Sequence, residues 1–261
     1  MRKPDHARDP EDFLARSSIK IAKHKSPVHS ALNAIVTAEF PLSVSHYVDM
    51  PLHDYRAKML RAQEIISSKG LQAEIVKSIK EPLIDYMGTS ELMIQTNVYL
   101  RASRPKMPLG QENINWHREP FYGPNLEKSV NIWTPISGVV KDNTLRFIPE
   151  SQNIPSSKIK TRNVGSSHTQ RFSTGHKLGF NYDEKQIIAG VDLSVATPML
   201  VSNGFSAIFS GNLIHGGATN ITEHIRFSVD FQLIRKRDFN NGNKKFHFSS
   251  GKEYFERLCW G

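Results

Sequence analysis

Three separated polar positions, each set in strand-like sequence, could carry chemistry: His117 with Glu119, then His215, then Arg226 with Ser228. In Asn115-Trp116-His117-Arg118-Glu119-Pro120-Phe121 one residue separates the imidazole from the carboxylate. In an extended strand both therefore point to the same face, and one strand end could supply two ligands to one metal. A third ligand must come from elsewhere. His215 is the best placed, because it follows the apolar run Phe205 to Ile214 and precedes the turn pair Gly216-Gly217. His224 is the competitor, but it stands two residues before Arg226 and would share that residue's face. Two imidazoles and one carboxylate suit Fe(II) and leave coordination positions open.

In the run His224 to Ile234, the polar residues Arg226, Ser228, Asp230 and Gln232 alternate with Phe227, Val229, Phe231 and Leu233. This is the period-2 pattern of a half-buried strand. On its polar face an arginine two residues from a serine can grip a carboxylate through a bidentate pair and a hydroxyl hydrogen bond. Such an anchor suits a dicarboxylate cosubstrate beside the metal. A purely structural reading competes: His117 as an ordinary strand histidine, Glu119 capping a turn before Pro120, and Arg226 paired with Asp230 or Glu223. With eleven His and twenty-five acidic residues in 261 positions, a His-x-Asp/Glu triplet arises about once by chance. The weight lies in its ordered combination with His215 and the Arg-x-Ser strand.

Taken in that order, these residues resemble the Fe(II)/2-oxoglutarate dioxygenases, most closely the branch similar to phytanoyl-CoA dioxygenase. The stretches Val130-Asn131-Ile132-Trp133-Thr134-Pro135 and Asn143 to Ser151 look like that branch's strand, turn and "IPGSH"-like segment. The likeness spans roughly residues 93 to 234. Two departures stand out: Glu119 where most of the branch carries Asp, and Glu150 where it often carries glycine.

The resemblance implies a mainly β fold, a double-stranded β-helix of jelly-roll or cupin-like form, with N-terminal helices packed on one face. It implies Fe(II) held by His117, Glu119 and His215, with 2-oxoglutarate on the metal, its far carboxylate on Arg226 and Ser228, and O2 in the remaining position. Asn131 would stand beside the cofactors and Trp133 would line the pocket. The activity implied is a dioxygenase hydroxylating an anionic or sugar-containing small molecule, with release of succinate and CO2. Retention of Glu119 favours oxygenation over halogenation. Two other readings stay open. One is a cupin-type metalloenzyme that does not use 2-oxoglutarate, against which Arg226 and Ser228 argue; the other is a basic binding module without activity.

One catalytic domain over residues 1–261 accommodates these elements. Residues 1–90 read as helical support, 91–235 as the β core and 236–261 as a tail. Tyr55 to Ser68 has helical spacing that stops at Gly70, and a second helix is expected from Leu71 to about Tyr86. Strand-like runs follow at Leu92 to Arg101, Val130 to Pro135, Thr144 to Ile148 and Met199 to Phe209. Residues 151–190, rich in Ser, Thr, Lys and Arg at the start, read as a lid loop over the barrel mouth. Its Lys158, Lys160, Arg162, Gln170, Arg171 and Lys177 could close on an anionic substrate, and Arg101, Arg104 and Lys106 precede the metal motif on what the resemblance implies is the cosubstrate-side strand, within reach of either ligand.

The formal charge of +9 attracts anions without choosing among them. Basic residues concentrate modestly at Arg16 to Lys25, Lys158 to Arg171 and Arg235 to Lys245, with no aromatic-interleaved RNA signature, so nucleic acid is not an expected partner. The one cysteine, Cys259, excludes an intrachain disulfide and a thiolate metal cluster. No run of about eighteen apolar residues and no secretory leader is present, so a cytoplasmic protein without a membrane span is expected.

Overall fold

The apolar periodicity of the N-terminal third folds as a helical layer in the computed structural model, which describes residues 19–108, 111–123, 126–239 and 253–260. The charged N-terminus, the start of the basic run 16–25, the end of the run 235–245 and most of the expected 236–261 tail lie outside the described residues.

Helix α1 (Val28–Glu39) buries Val28, Leu32, Ile35 and Val36, and after the short α2 (Val44–Val48), α3 (Leu52–Ser68) buries Tyr55, Met59, Ala62 and Ile66. Both stripes keep the 3–4 spacing of one helix face. Gly70 ends α3 as expected, at φ 64° in the left-handed region that glycine enters without a Cβ penalty. The single helix expected from Leu71 to Tyr86 is instead two, α4 (Leu71–Ser78) and α5 (Lys80–Met87), broken at Ile79 with φ −116° and ψ 25°. Pro82 is the cause. In a continuous helix its ring would clash with the Ser78 carbonyl, so the chain restarts and places the proline in a first turn.

A second correction concerns residues 1–90, which are not purely helical. Strand β1 (Ile19–Lys23) pairs antiparallel with β9 (Phe205–Ser210) and forms an edge of the main sheet. That sheet runs β1-β9-β4-β11-β2-β12 and comprises also β4 (Val130–Ser137), β11 (Arg226–Arg235), β2 (Leu92–Gln95) and β12 (Phe255–Arg257), with β3 (Tyr99–Ser103) pairing β11 as well. The expected run Leu92 to Arg101 is thus two strands, and the run from Met199 becomes strand only at Phe205. A smaller sheet, β10-β5-β8, is formed by His215–Gly217, Leu145–Phe147 and Thr197–Pro198. Helices and antiparallel sheets together give the mainly β fold read from the sequence.

Alternation along β11 divides the molecule. Phe227, Val229, Phe231 and Leu233 join Leu32, Tyr55, Met59 and Leu83 in the largest apolar cluster, between helices and sheet. Arg226, Asp230 and Gln232 line a cavity of about 480 Å³ on the opposite face, to which Leu145, His215 and Gly217 of the smaller sheet also contribute. Opposite the step from Phe227 to Ser228 the register shifts, and β4 carries an extra residue, Ile136. Gly138 follows at φ 67°, where an added Cβ would stand 2.1 Å from the Ile225 carbonyl oxygen. Only glycine lets β4 end this close to the chain entering Arg226.

Residues 151–190 are not one loop. They contain the hairpin β6 (Lys160–Asn163) and β7 (Lys185–Ala189), the turn of helix α6 (Thr174–Lys177), and two 3-10 turns. The part near the cavity is tied to the helices and β3: Gln63 Nε2 donates to Lys177 O at 3.1 Å, Arg101 Nη1 to Leu178 O at 2.9 Å, and Arg56 to His168 O.

Candidate metal and cosubstrate site

His117 and Glu119 do not lie in a regular strand. Arg118 between them is extended, at φ −138° and ψ 157°, so both side chains still project to one side, while Glu119 opens a 3-10 turn with Pro120 and Phe121. His117 forms an isolated antiparallel bridge with His215: each backbone N–H donates to the other's carbonyl at 2.9 Å. The Glu119 N–H donates to Gly211 O at 2.8 Å. Ser151, from the "IPGSH"-like segment, accepts from Ile214 N–H at 2.7 Å and so fixes the approach to His215.

These backbone bonds bring the three side chains together. The Glu119 carboxylate oxygen Oε1 lies 4.0 Å from His117 Nε2 and 3.7 Å from His215 Nε2. All three candidate ligand atoms fall within 4.8 Å of one another, and all three residues are buried. Each imidazole donates Nδ1–H to a backbone carbonyl, His117 to Asn115 O at 2.6 Å and His215 to Leu213 O at 2.9 Å. That fixes the tautomer with the Nε2 lone pair facing the cluster. Burial holds both histidines below their ordinary pKa, His117 well below with His215 as a further cause. Both are therefore held neutral, the form in which an imidazole can bind a metal. Burial likewise pushes Glu119 up to about 7, opposed by hydrogen bonds from Asn131 and Gln232. Asn131 Nδ2 donates to Oε1 at 3.0 Å and Gln232 Nε2 donates to Oε2. Asn131, expected beside the cofactors, thus lines the cavity but serves the metal-side carboxylate.

Arg226 is 2 % exposed. Its guanidinium donates to two neutral acceptors, Asn143 O and Asn113 Oδ1, both at 3.1 Å. Burial, with Arg101 nearby, lowers its pKa only to about 10, so it stays charged at neutral pH. Among the described residues no carboxylate pairs with it: Asp230 is taken by Arg101 and Glu223 by Lys106, so neither structural pairing considered from the sequence occurs. Arg226 Nε and the Ser228 hydroxyl are both buried without a hydrogen-bond partner. A buried cation and a buried hydroxyl left open on one strand face make a cradle for a carboxylate. Of the two, Arg226 lines the cavity; Ser228, two residues along the same strand face, is not among the lining residues.

The other site residues separate. Trp133 and Arg101 are buried and line the cavity, and the exposed Arg171 lines it too. Arg162 does not: it is an exposed residue of the β6–β7 hairpin bonded to Gln186 at 2.9 Å, since strand pairing carries it away from the mouth. Arg104 is a structural residue, closed by Glu112 at 2.5 Å and bonded to the Tyr47 and Met50 carbonyls at 2.6 Å. Lys106 is exposed. His224 is exposed as well, and the cluster uses His215. Gln232 was visible in the sequence only as a member of the polar face, with nothing to mark it as the carboxylate's second donor. Asn113, Tyr99, Tyr122 and Tyr254 gave no signal.

The phytanoyl-CoA dioxygenase (PhyH) family model matches residues 11–228. The chain belongs to the phytanoyl-CoA dioxygenase family. Among solved structures, this PhyH protein is similar to the non-heme monooxygenase ThoJ in its apo form, with 14% identity, a TM-score of 0.54, and coverage of 88% of this chain and 78% of that one. It is also similar to AviO1 from Streptomyces viridochromogenes Tue57, with 14% identity, a TM-score of 0.51, and coverage of 90% and 97%. At such identities the likeness establishes the fold. No curated protein matches the chain. Family and ligand cluster together make this a non-heme oxygenase fitted to Fe(II), 2-oxoglutarate and O2. No helix among the described residues is long and apolar enough to cross a membrane.

Proposed function

We propose that this PhyH protein hydroxylates a small molecule, anionic or sugar-containing, with conversion of 2-oxoglutarate to succinate and CO2. The observation that carries the reading is the pairing of a buried His-Glu-His cluster with the unanswered guanidinium of Arg226 in the same cavity. In this reading His117, Glu119 and His215 hold the iron, and Arg226 with Ser228 receives the cosubstrate's far carboxylate. When bound, iron and 2-oxoglutarate supply the oxidant for a C–H bond.

The chain's own residues do the remaining work. The Asn115 and Leu213 carbonyls keep both imidazole lone pairs turned inward. Asn131 and Gln232 hold Glu119 in place and favour its ionised form. Asn143 and Asn113 orient the Arg226 fork before the cosubstrate arrives, which lowers the ordering cost of binding. Trp133 and Phe209 add apolar surface to the cavity that Arg226 lines, which lowers the local dielectric around a carboxylate bound there.

Anaerobic titration of the apoprotein with Fe(II) and then 2-oxoglutarate tests the proposal. A weak visible charge-transfer band is expected in the wild type, absent in His215→Ala and shifted to much higher 2-oxoglutarate in Arg226→Gln. A folded, metal-binding protein that never shows the band would transfer the assignment to a cupin-type enzyme without this cosubstrate.

A further inference from the structure

The cavity holds more guanidinium groups than the metal chemistry uses, and their partners tell them apart. Arg101 is neutralised by Asp230, with Nε at 2.6 Å from Oδ1 and Nη2 at 3.0 Å from Oδ2. Arg226 is occupied in the cosubstrate reading. Arg171 is different. It is exposed, it lines the cavity together with His176, Asn181 and Tyr182, and among the described residues no carboxylate pairs with it. Aromatic rings flank it instead: its guanidinium carbon lies 4.9 Å from the Phe172 ring centroid and 5.9 Å from that of Tyr182. Rings orient a guanidinium without cancelling its charge.

The turn that presents it is unusual. Phe172 sits at φ 67°, a backbone region rarely populated by a bulky residue. Its N–H donates to His176 Nδ1 at 3.0 Å, and the His176 ring stands edge-on to Tyr182 with centroids 4.9 Å apart. Deeper in, tyrosine hydroxyls and amides make the wall polar. Gln95 Nε2 donates to the Tyr254 hydroxyl at 2.9 Å, Tyr99 and Tyr254 are hydrogen-bonded to each other, and Tyr122 bonds Asn181. An anion placed there would meet the carboxylates of Asp230 and Glu119, which share that part of the lining. A wholly neutral substrate would leave the ring-held cation unanswered.

We infer that the substrate has two ends: a terminal oxyanion group, phosphate or carboxylate, bound by Arg171 at the mouth, and a neutral hydroxyl-bearing body lying inward against Tyr99, Tyr122 and Tyr254. This rests on the oxygenase reading for which of its carbons is oxidised, but the binding itself needs no metal. The test is calorimetric titration of the metal-free full-length protein with glucose 6-phosphate, gluconate and glucose. Wild type is compared with Arg171→Gln, Arg226→Gln and Lys158→Gln, the last an exposed lysine of the same basic stretch.

At least one anionic probe is expected to bind the wild type and to weaken about tenfold in Arg171→Gln, the size of one charge-assisted contact. Lys158→Gln should bind as the wild type does, and glucose should not distinguish Arg171→Gln. Preference for the phosphate or for the carboxylate probe then identifies the oxyanion. Four results overturn the inference: no binding of either anion, equal binding by Arg171→Gln, loss confined to Arg226→Gln, or an equal loss in Lys158→Gln. Because iron and turnover do not enter, none of these outcomes touches the oxygenase reading.

Discussion

Replacing Gln232 by leucine removes one of the two donors to Glu119 at nearly constant volume, and the consequence for metal binding can be worked through. The carboxylate is buried and its pKa is already up at about 7 because burial outweighs the hydrogen bonds from Asn131 and Gln232. A hydrogen bond to a charged group contributes roughly 1.5–3 kcal/mol, so its loss carries the Glu119 pKa to roughly 8 or 9. Metal must then displace a proton from a carboxyl that is mostly neutral at pH 7. Because the wild-type carboxyl is itself half protonated at that pH, Fe(II) affinity should fall roughly 5- to 50-fold. The sign with pH follows. The metal-bound state requires the carboxylate, so the deficit is full below the wild-type pKa of about 7, shrinks as pH rises between the two pKa values and vanishes above the new one. Anaerobic Fe(II) titrations of wild type and Gln232→Leu at pH 6.5, 7.5 and 9 measure both effects. Equal affinities would refute the role of Gln232 in holding the ligand. A loss that stays constant with pH would refute its action through the Glu119 proton.

Arg226→Gln should raise the 2-oxoglutarate requirement about 100-fold or more, since a buried bidentate anchor is lost, while Fe(II) affinity in the same titration stays unchanged. Glu150→Gly should raise stability by roughly 0.5–1 kcal/mol, because Glu150 sits at φ 58° and glycine relieves that strain; a lower melting temperature would contradict this. Leu32→Ala, at a fully buried position between helices and sheet, should lower stability by roughly 2–5 kcal/mol in denaturant titrations. His24 is held down at about 4 by burial and His29, so its neutral form stabilises the fold fully above about pH 6.5, and that stability drains away as pH falls towards 4. Melting curves of His24→Asn should depend less on pH across that window than those of the wild type.

The candidate site residues were legible because their signals are local: a two-residue spacing for His117 and Glu119, a period-2 strand for Arg226 and Ser228. The groups that tune them were not. Asn131 and Gln232 meet Glu119 only because β4 and β11 pair with Asn131 opposite Gln232, and sheet register is a property of two distant segments at once. The helix misread at Leu71 to Tyr86 had a visible cause in Pro82, which periodicity alone overlooks. β1 escaped because five residues show little pattern and its place depends on an open edge at β9. Glu150 was visible as a departure from glycine, and its left-handed backbone gives that departure a physical meaning. Arg162 went astray because charge in a basic stretch says nothing of which side of a hairpin it will occupy.

The mutual backbone bonds between His117 and His215 have a bearing on what side-chain replacements can do here. Each N–H is answered by the other residue's carbonyl at 2.9 Å, so the spacing of the two segments is set by main-chain groups that every residue type except proline retains. Exchanging either imidazole therefore empties a position in the cluster and leaves its frame standing.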